Sequence, residues 1–226
     1  MVCRMDHDGY QVLPAWWADV RGLHQIITKY LDANSGPIFN DNPVATRNDR
    51  KRLQATVPMV AVRNLRSTLA AGWPDHRVGG VVALRSQPGC QRQAAHCDYI
   101  PDDVFLDTDD VNVPLLFMLA LEDDTKLDVW PGSHKLVRDI RAARRMLPIV
   151  RKTLTLQAGD AVLFRGDLVH AGSEYSKQNT RLHVYLDSPA VPRDPNRTWI
   201  IYKHAPALLQ NHIIEDESES ESEGNA

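Results

Sequence analysis

The sequence predicts a mostly β domain, an antiparallel core, closed or sandwiched, with helices packed on one sheet. Three observations carry that expectation. Between Gly79 and His204, seven or eight short apolar runs alternate with turn residues, at strand length rather than helix length. Before Gly79 one stretch carries apolar residues at steps of three and four, the helix period, and a second, basic on one side, also reads as helical. The 226 residues are 43% hydrophobic and 24% charged, which suffices for one domain with a full core.

Each element has its own warrant. From Pro14 to about Asn34, the residues Trp16, Trp17, Val20, Leu23, Ile26, Ile27, Tyr30 and Leu31 share a helical face, and Pro14 suits a first turn. Polar and turn residues at 34–43 form a loop. A second helix is expected over about Arg50 to Ala71, basic on one side and kinked at Pro58. The expected strands are Val81–Arg85, Gln91–Asp98, Pro114–Leu121, Leu127–Trp130, Thr153–Leu156, Ala161–Phe164, Arg181–Leu186 and Thr198–His204. Lys135 to about Met146 reads as a helical insertion. The acidic, low-complexity run Glu215 to Glu223 has no apolar residue to bury and is expected to be disordered. The expected organisation is therefore an N-terminal helical region at 1–78 packing on the core, a β core at 79–212, and an acidic tail at 213–226.

Bulk properties narrow the function classes. No run reaches the eighteen apolar residues of a membrane span, and the N-terminus has no apolar stretch resembling a secretory signal. Three cysteines imply no disulfide framework, so a cytoplasmic or nuclear setting is expected. The net charge of −3 conceals segregation: 45–92 is basic, 98–124 acidic, 135–152 basic again. Solvated surface is the plain reading of these blocks, and a polyanion-binding face the sharper one.

The chemistry concentrates at five positions. In a strand, residues two apart share a face, so His96 and Asp98 project together and Cys97 projects away. A His-x-Asp pair alone is expected by chance in a chain this rich in both residues. The order adds meaning. Gly159-Asp160 is a turn signal, Ala161–Phe164 a buried strand, and His170 follows just beyond it. Two imidazoles and one carboxylate on one side of a metal, with open positions opposite, form the non-haem Fe(II) donor set. Arg181 then heads a strand in which Arg181, His183 and Tyr185 share one face and Leu182, Val184 and Leu186 the other. A buried arginine calls for an anionic partner, and its planar fork suits a carboxylate. The far carboxylate of 2-oxoglutarate meets that need. Zinc also accepts two His and one Asp, so an other-metal hydrolase is one rival. A non-catalytic binding module on the same fold, recruiting a partner through the acidic tail, is the other.

His96-Cys97-Asp98, the segment Leu127 to Lys135 with its Pro131-Gly132-Ser133-His134 string, and Gly159-Asp160 through His170 to Arg181 resemble the phytanoyl-CoA dioxygenase family of Fe(II)/2-oxoglutarate oxygenases. The resemblance spans roughly 79–204. It implies a double-stranded β-helix (jelly-roll, cupin-like) core, His96, Asp98 and His170 as iron ligands, and Arg181 as the 2-oxoglutarate anchor. Dioxygen would be the co-reactant, with succinate and carbon dioxide as products. Gln93 is a further cosubstrate candidate, although strict alternation turns it away from the pair unless a bulge intervenes. Pro131-Gly132-Ser133-His134 reads as a turn with a helix cap at Ser133. Leu127 stands where several members carry a polar cosubstrate contact, and Ser173 is displaced from the expected place of a serine contact. Asp98, where related halogenases carry a small residue, favours hydroxylation.

Candidate pocket residues are Tyr99, His183 and Tyr185, with Trp130 read first as core and second as pocket wall. The acidic loop Tyr99–Asn112 is placed to act as a lid. A small-molecule substrate is the first expectation; nucleic acid, motivated by the basic stretch before Arg92, or protein stays open. The sequence leaves the oligomeric state unspecified.

Overall fold

The structure is a computed structural model and describes residues 4–38, 49–99, 113–137, 139–140, 147–189 and 198–201. In chain order the elements are α1 (Arg4–Asp8), β1 (Tyr10–Leu13), α2 (Val20–Asn34), β2 (Gly36–Pro37), β3 (Arg52–Thr56), α3 (Arg63–Gly72) and β4 (Arg77–Ser86). There follow β5 (His96–Cys97), β6 (Leu115–Ala120), β7 (Thr125–Val129), β8 (Lys152–Leu156), β9 (Ala161–Arg165), β10 (His170–Gly172), β11 (Asn179–Asp187) and β12 (Trp199–Ile200). They build two antiparallel sheets. The larger has the order β1-β9-β6-β11-β4-β3-β2, and the smaller β12-β5-β10-β7-β8. Among the described residues no helix is long and apolar enough to cross a membrane.

Alternation along the strands sorts the core into three layers. Leu182, Val184 and Leu186 of β11 and Phe117 and Leu119 of β6 meet Leu23, Ile27 and Leu31 of α2 and Leu65 and Leu69 of α3, so the helices cover one face of the larger sheet. Leu116, Met118, Val162 and Phe164 point the other way, onto Leu127, Val129, Leu154 and Leu156 of the smaller sheet. The outer face of the smaller sheet carries Cys97, Trp130, Val169 and Ala171, capped by Val137, Ile140 and Leu147. The apolar inter-sheet layer supports the site, which opens where histidines replace aliphatic residues on its inner face.

Four expected elements differ. The helix expected from Pro14 is α2 and starts at Val20, because Tyr10–Leu13 pairs with β9 and the chain turns at Ala15 with φ 48°. Asp19 supplies the cap, its carboxylate accepting the Gly22 N–H at 3.1 Å. Trp16 and Trp17 belong to an aromatic cluster instead, with Trp16 and Phe117 centroids 4.5 Å apart. The expected helix over Arg50–Ala71 splits. Arg52–Thr56 pairs with β4, from Arg52 opposite Ser86 to Thr56 opposite Val82. Pro58 then holds the chain extended, and helix resumes only through a short tight turn, Met59–Val62. A free edge of β4 offered a row of hydrogen bonds, a non-local partner that the expected helix did not take into account. Of Gln91–Asp98, only His96–Cys97 is strand. The insertion expected after Lys135 is not one of the four: it is helical, as expected, at Val137, Asp139 and Ile140.

Within Thr198–His204 the strand is Trp199–Ile200. The loop beyond Tyr99, most of the insertion after Ile140, His204 and the acidic tail lie outside the described residues.

Candidate metal centre

β10 lies between β5 and β7 in the smaller sheet, and His170 is registered directly opposite His96. Both side chains point between the sheets, with ring centroids 4.5 Å apart. Asp98, two residues on from His96, follows onto the same face. One donor atom from each of His96, Asp98 and His170 lies within 4.8 Å of the others. The His96 and His170 Nε2 atoms stand 3.7 Å and 3.8 Å from the same oxygen, Asp98 Oδ1.

Hydrogen bonds fix which ring nitrogens converge. His96 Nδ1–H donates to the Ala94 carbonyl at 2.8 Å, and His170 Nδ1–H to the Leu168 carbonyl at 3.0 Å. In the neutral rings both Nε2 lone pairs therefore face the carboxylate. Burial, reinforced by neighbouring His96, pushes the His170 imidazole down to about 3, so it is an unprotonated donor near neutrality. Two lone pairs and an anionic oxygen aimed at one point repel one another. A cation between them turns that repulsion into coordination, and the donor set suits Fe(II). The residues present thus fit a divalent metal on one face.

The ladder also separates the neighbours. Cys97 points outward and its thiol donates to the Asp167 carbonyl at 3.3 Å; burial raises its pKa well above the usual thiol range. Trp130 is in that same outer layer, packed with Cys97, Val169 and Ala171. Its candidacy as pocket wall is therefore corrected: Val129 takes the inward place and Trp130 is core. Ser133 is no helix cap. Gly132, at φ 77°, occupies the cap position, and the Ser133 hydroxyl accepts the Val169 N–H at 2.9 Å. The Pro131-Gly132-Ser133-His134 turn thereby braces the residue preceding His170.

Facing these ligands across the inter-sheet space is β11. Its inward set is Arg181, His183 and Tyr185, while Leu182, Val184 and Leu186 pack under the helices. Arg181 is 3% exposed; it donates to the Ser86 hydroxyl at 2.9 Å and lies 5.8 Å from the Tyr175 ring centroid. His183 stacks on Tyr185, centroids 5.1 Å apart and planes 13° from parallel, and its Nε2 is 3.8 Å from Asp98 Oδ2. Phe164 lies against both His170 and His183. Tyr99 is buried in the inter-sheet layer, where its hydroxyl donates to Asp187 Oδ1 at 3.0 Å. The Gln93 side chain accepts the Gly172 N–H at 2.9 Å and donates to Asp49 at 3.0 Å, so its amide ties the approach to β5 onto β10.

Sequence reasoning missed two residues that hold this frame. Arg52, 1% exposed, donates to the carbonyls of Gln91, Gly172 and Ser173 at 2.6, 3.0 and 2.5 Å. Burial, then the charge of Arg181, lowers it to about 10. Its signal was an arginine opening a strand rather than a helix. Asp128 is fully buried on the outer face; it accepts from Ser173 and Thr153 hydroxyls at 2.6 Å each and from the Arg92 guanidinium. A carboxylate between Leu127 and Val129 was its signal. Leu127 faces the inter-sheet core, and Ser173 is engaged by Asp128.

No family model matches the sequence, and no curated protein matches it. Solved structures do. The non-haem α-ketoglutarate-dependent epimerase SnoN from nogalamycin biosynthesis superposes with a TM-score of 0.59 at 15% identity, over 88% of this chain and 92% of that one. The carbocyclase SnoK of the same biosynthesis gives 0.57 at 14%, over 81% of each chain. HygX from Streptomyces hygroscopicus, solved with nickel and 2-oxoglutarate bound, gives 0.57 at 15%, over 81% of this chain and 84% of that one. At such identities the likeness is one of fold. The chain folds as the double-stranded β-helix of the iron and 2-oxoglutarate-dependent oxygenases, with a buried His-Asp-His set inside it.

Proposed function

We propose that this protein is an Fe(II)- and 2-oxoglutarate-dependent dioxygenase of the phytanoyl-CoA dioxygenase type that hydroxylates a small molecule. The observation that carries the reading is the convergence of two Nε2 lone pairs on Asp98 Oδ1, opposite a strand bearing a buried arginine. Among the described residues no carboxylate pairs with Arg181. A buried guanidinium without an anion is costly, and a dicarboxylate cosubstrate supplies one. A zinc hydrolase has no use for that cation, which ranks it second.

His96, Asp98 and His170 would hold the metal, and Arg181 with Ser86 would take the far carboxylate of 2-oxoglutarate. When bound, iron and 2-oxoglutarate together activate dioxygen for C–H oxidation, releasing succinate and carbon dioxide. The protein's own contribution is placement and exclusion. The Nδ1 bonds to Ala94 and Leu168 keep both imidazoles turned inward. Phe164 packs against His170, and Tyr185 forms the wall beside His183. Free, buried Cys90 and Cys97 suit a reducing compartment, cytoplasmic or nuclear.

The test is succinate production by purified protein with Fe(II), 2-oxoglutarate and a panel of small molecules. Substrate-stimulated succinate is expected, abolished in His170→Ala. Arg181→Ala should raise the KM for 2-oxoglutarate at least tenfold while Co(II) binding persists. Protein that neither binds 2-oxoglutarate nor forms succinate refutes the reading.

A further inference from the structure

The third inward histidine, His183, stands apart from the donor group. His96 and His170 approach Asp98 from its Oδ1 side, at 3.7 Å and 3.8 Å. His183 approaches from the opposite sheet, on the Oδ2 side, at 3.8 Å. The mutual proximity that unites His96, Asp98 and His170 within 4.8 Å does not include it. Its ring is held in plane by Tyr185, 5.1 Å away and near parallel, and bordered by Phe164. An aliphatic residue would serve packing here. An imidazole stacked with its Nε2 edge toward a carboxylate oxygen serves orientation.

We propose that His183 is a positioning residue that makes Asp98 a one-oxygen metal ligand. This rests on the metal centre proposed above. In the Nε2–H tautomer, His183 offers a donor to Oδ2. The present 3.8 Å exceeds hydrogen-bond reach, but the terminal torsion of aspartate is soft. A small turn of the carboxylate as Oδ1 engages a metal brings Oδ2 onto the imidazole. With Oδ2 held, the carboxylate cannot chelate through both oxygens. A metal held by His96, Asp98 and His170 would then be left accessible to a cosubstrate. Groups that orient ligands in this way tune metal affinity by about 10- to 100-fold. His183 therefore links the Arg181 strand to the metal strands: Arg181 and His183 lie two residues, about 7 Å, apart on one face of β11.

The experiment titrates Co(II) alone, without cosubstrate, into wild type, His183→Phe, His183→Gln and His96→Ala, reading affinity and the visible d–d spectrum. Phenylalanine keeps the ring stacked on Tyr185 but has no donor; glutamine restores an N–H. Circular dichroism confirms folding, and His183→Leu replaces the phenylalanine variant if that one does not fold. The expected result is a Co(II) affinity at least tenfold weaker in His183→Phe, with an altered spectrum, and recovery of both in His183→Gln. A merely space-filling histidine would leave the spectrum of His183→Phe unchanged. Wild-type affinity and spectrum in His183→Phe, or no recovery in folded His183→Gln, overturns the positioning role while leaving the metal centre standing. Failure of wild type to bind Co(II) any better than His96→Ala overturns the metal centre and this role with it.

Discussion

His96 and His170 face each other across the β5–β10 ladder, registered residue to residue, with ring centroids 4.5 Å apart. Neither strand is long: β5 has two residues and β10 three. So short a ladder needs outside support, and the structure places it at both ends. Ser133 braces the residue before His170, and Arg52 and Gln93 hold the chain just after it.

A metal-competent site should stabilise the fold by binding. Ligand at 100 times its dissociation constant adds about 2.7 kcal/mol to native-state stability. Co(II) is therefore expected to raise the thermal midpoint of wild type, and to leave those of His96→Ala and His170→Ala unchanged. Scanning fluorimetry with and without metal reads this directly.

Arg52→Met should destabilise the metal-free protein by about 2–4 kcal/mol. It removes charge-assisted bonds to three carbonyls, of which those of Gly172 and Ser173 are in buried surroundings. Urea unfolding measures the loss; a change under about 0.5 kcal/mol would contradict the clamp.

Asp128→Asn keeps the shape but not the charge that Arg92, Thr153 and Ser173 share. A loss of about 1.5–3 kcal/mol is expected, the range for hydrogen bonds to charged groups. Arg92 is partly exposed and also pairs with Glu174 at 3.2 Å, so its charge keeps a partner and access to water. The double variant Arg92→Ala with Asp128→Asn should accordingly show less than additive loss.

Gly166→Ala places a methyl where the Tyr99 ring passes: an ideal Cβ would sit 2.0 Å from Tyr99 Cδ2. Overpacking of this kind costs about 1–3 kcal/mol. The ring must move away, and the Tyr99–Asp187 bond should break with it. In Tyr99→Phe, which already lacks that bond, the alanine should cost less.

Acid should weaken the metal-free fold. Burial, then the Arg165 charge, lowers the pKa of His134, and burial lowers that of His170 to about 3. An unfolded histidine titrates near 6.5. Above that value both states are neutral and there is no penalty. As pH falls through about 6.5 the unfolded chain takes up protons that the folded one refuses. Stability then drops by up to about 1.4 kcal/mol per pH unit for each such histidine. Urea midpoints at pH 7.5 and 5.5 should differ for wild type and differ less for His134→Gln.

The sequence by itself determined the two-residue alternation. That alternation puts His96 with Asp98 and against Cys97, and Arg181 with His183 and Tyr185 against Leu182, Val184 and Leu186. It is a property of one strand, so a single stretch of chain reveals it. What lies opposite is not. Arg52–Thr56 was expected within a helical stretch, Arg50 to Ala71, and is a strand because the edge of β4 was there to pair with it. Trp130 could be core or pocket until the smaller sheet showed which side was outside. Gln93, which alternation turned away, works by binding Gly172 from an irregular segment. The meeting of His183 with Asp98 joins two sheets 85 residues apart in sequence. Such contacts depend on register and closure, which non-local hydrogen bonds and burial decide, and only the folded chain displays them.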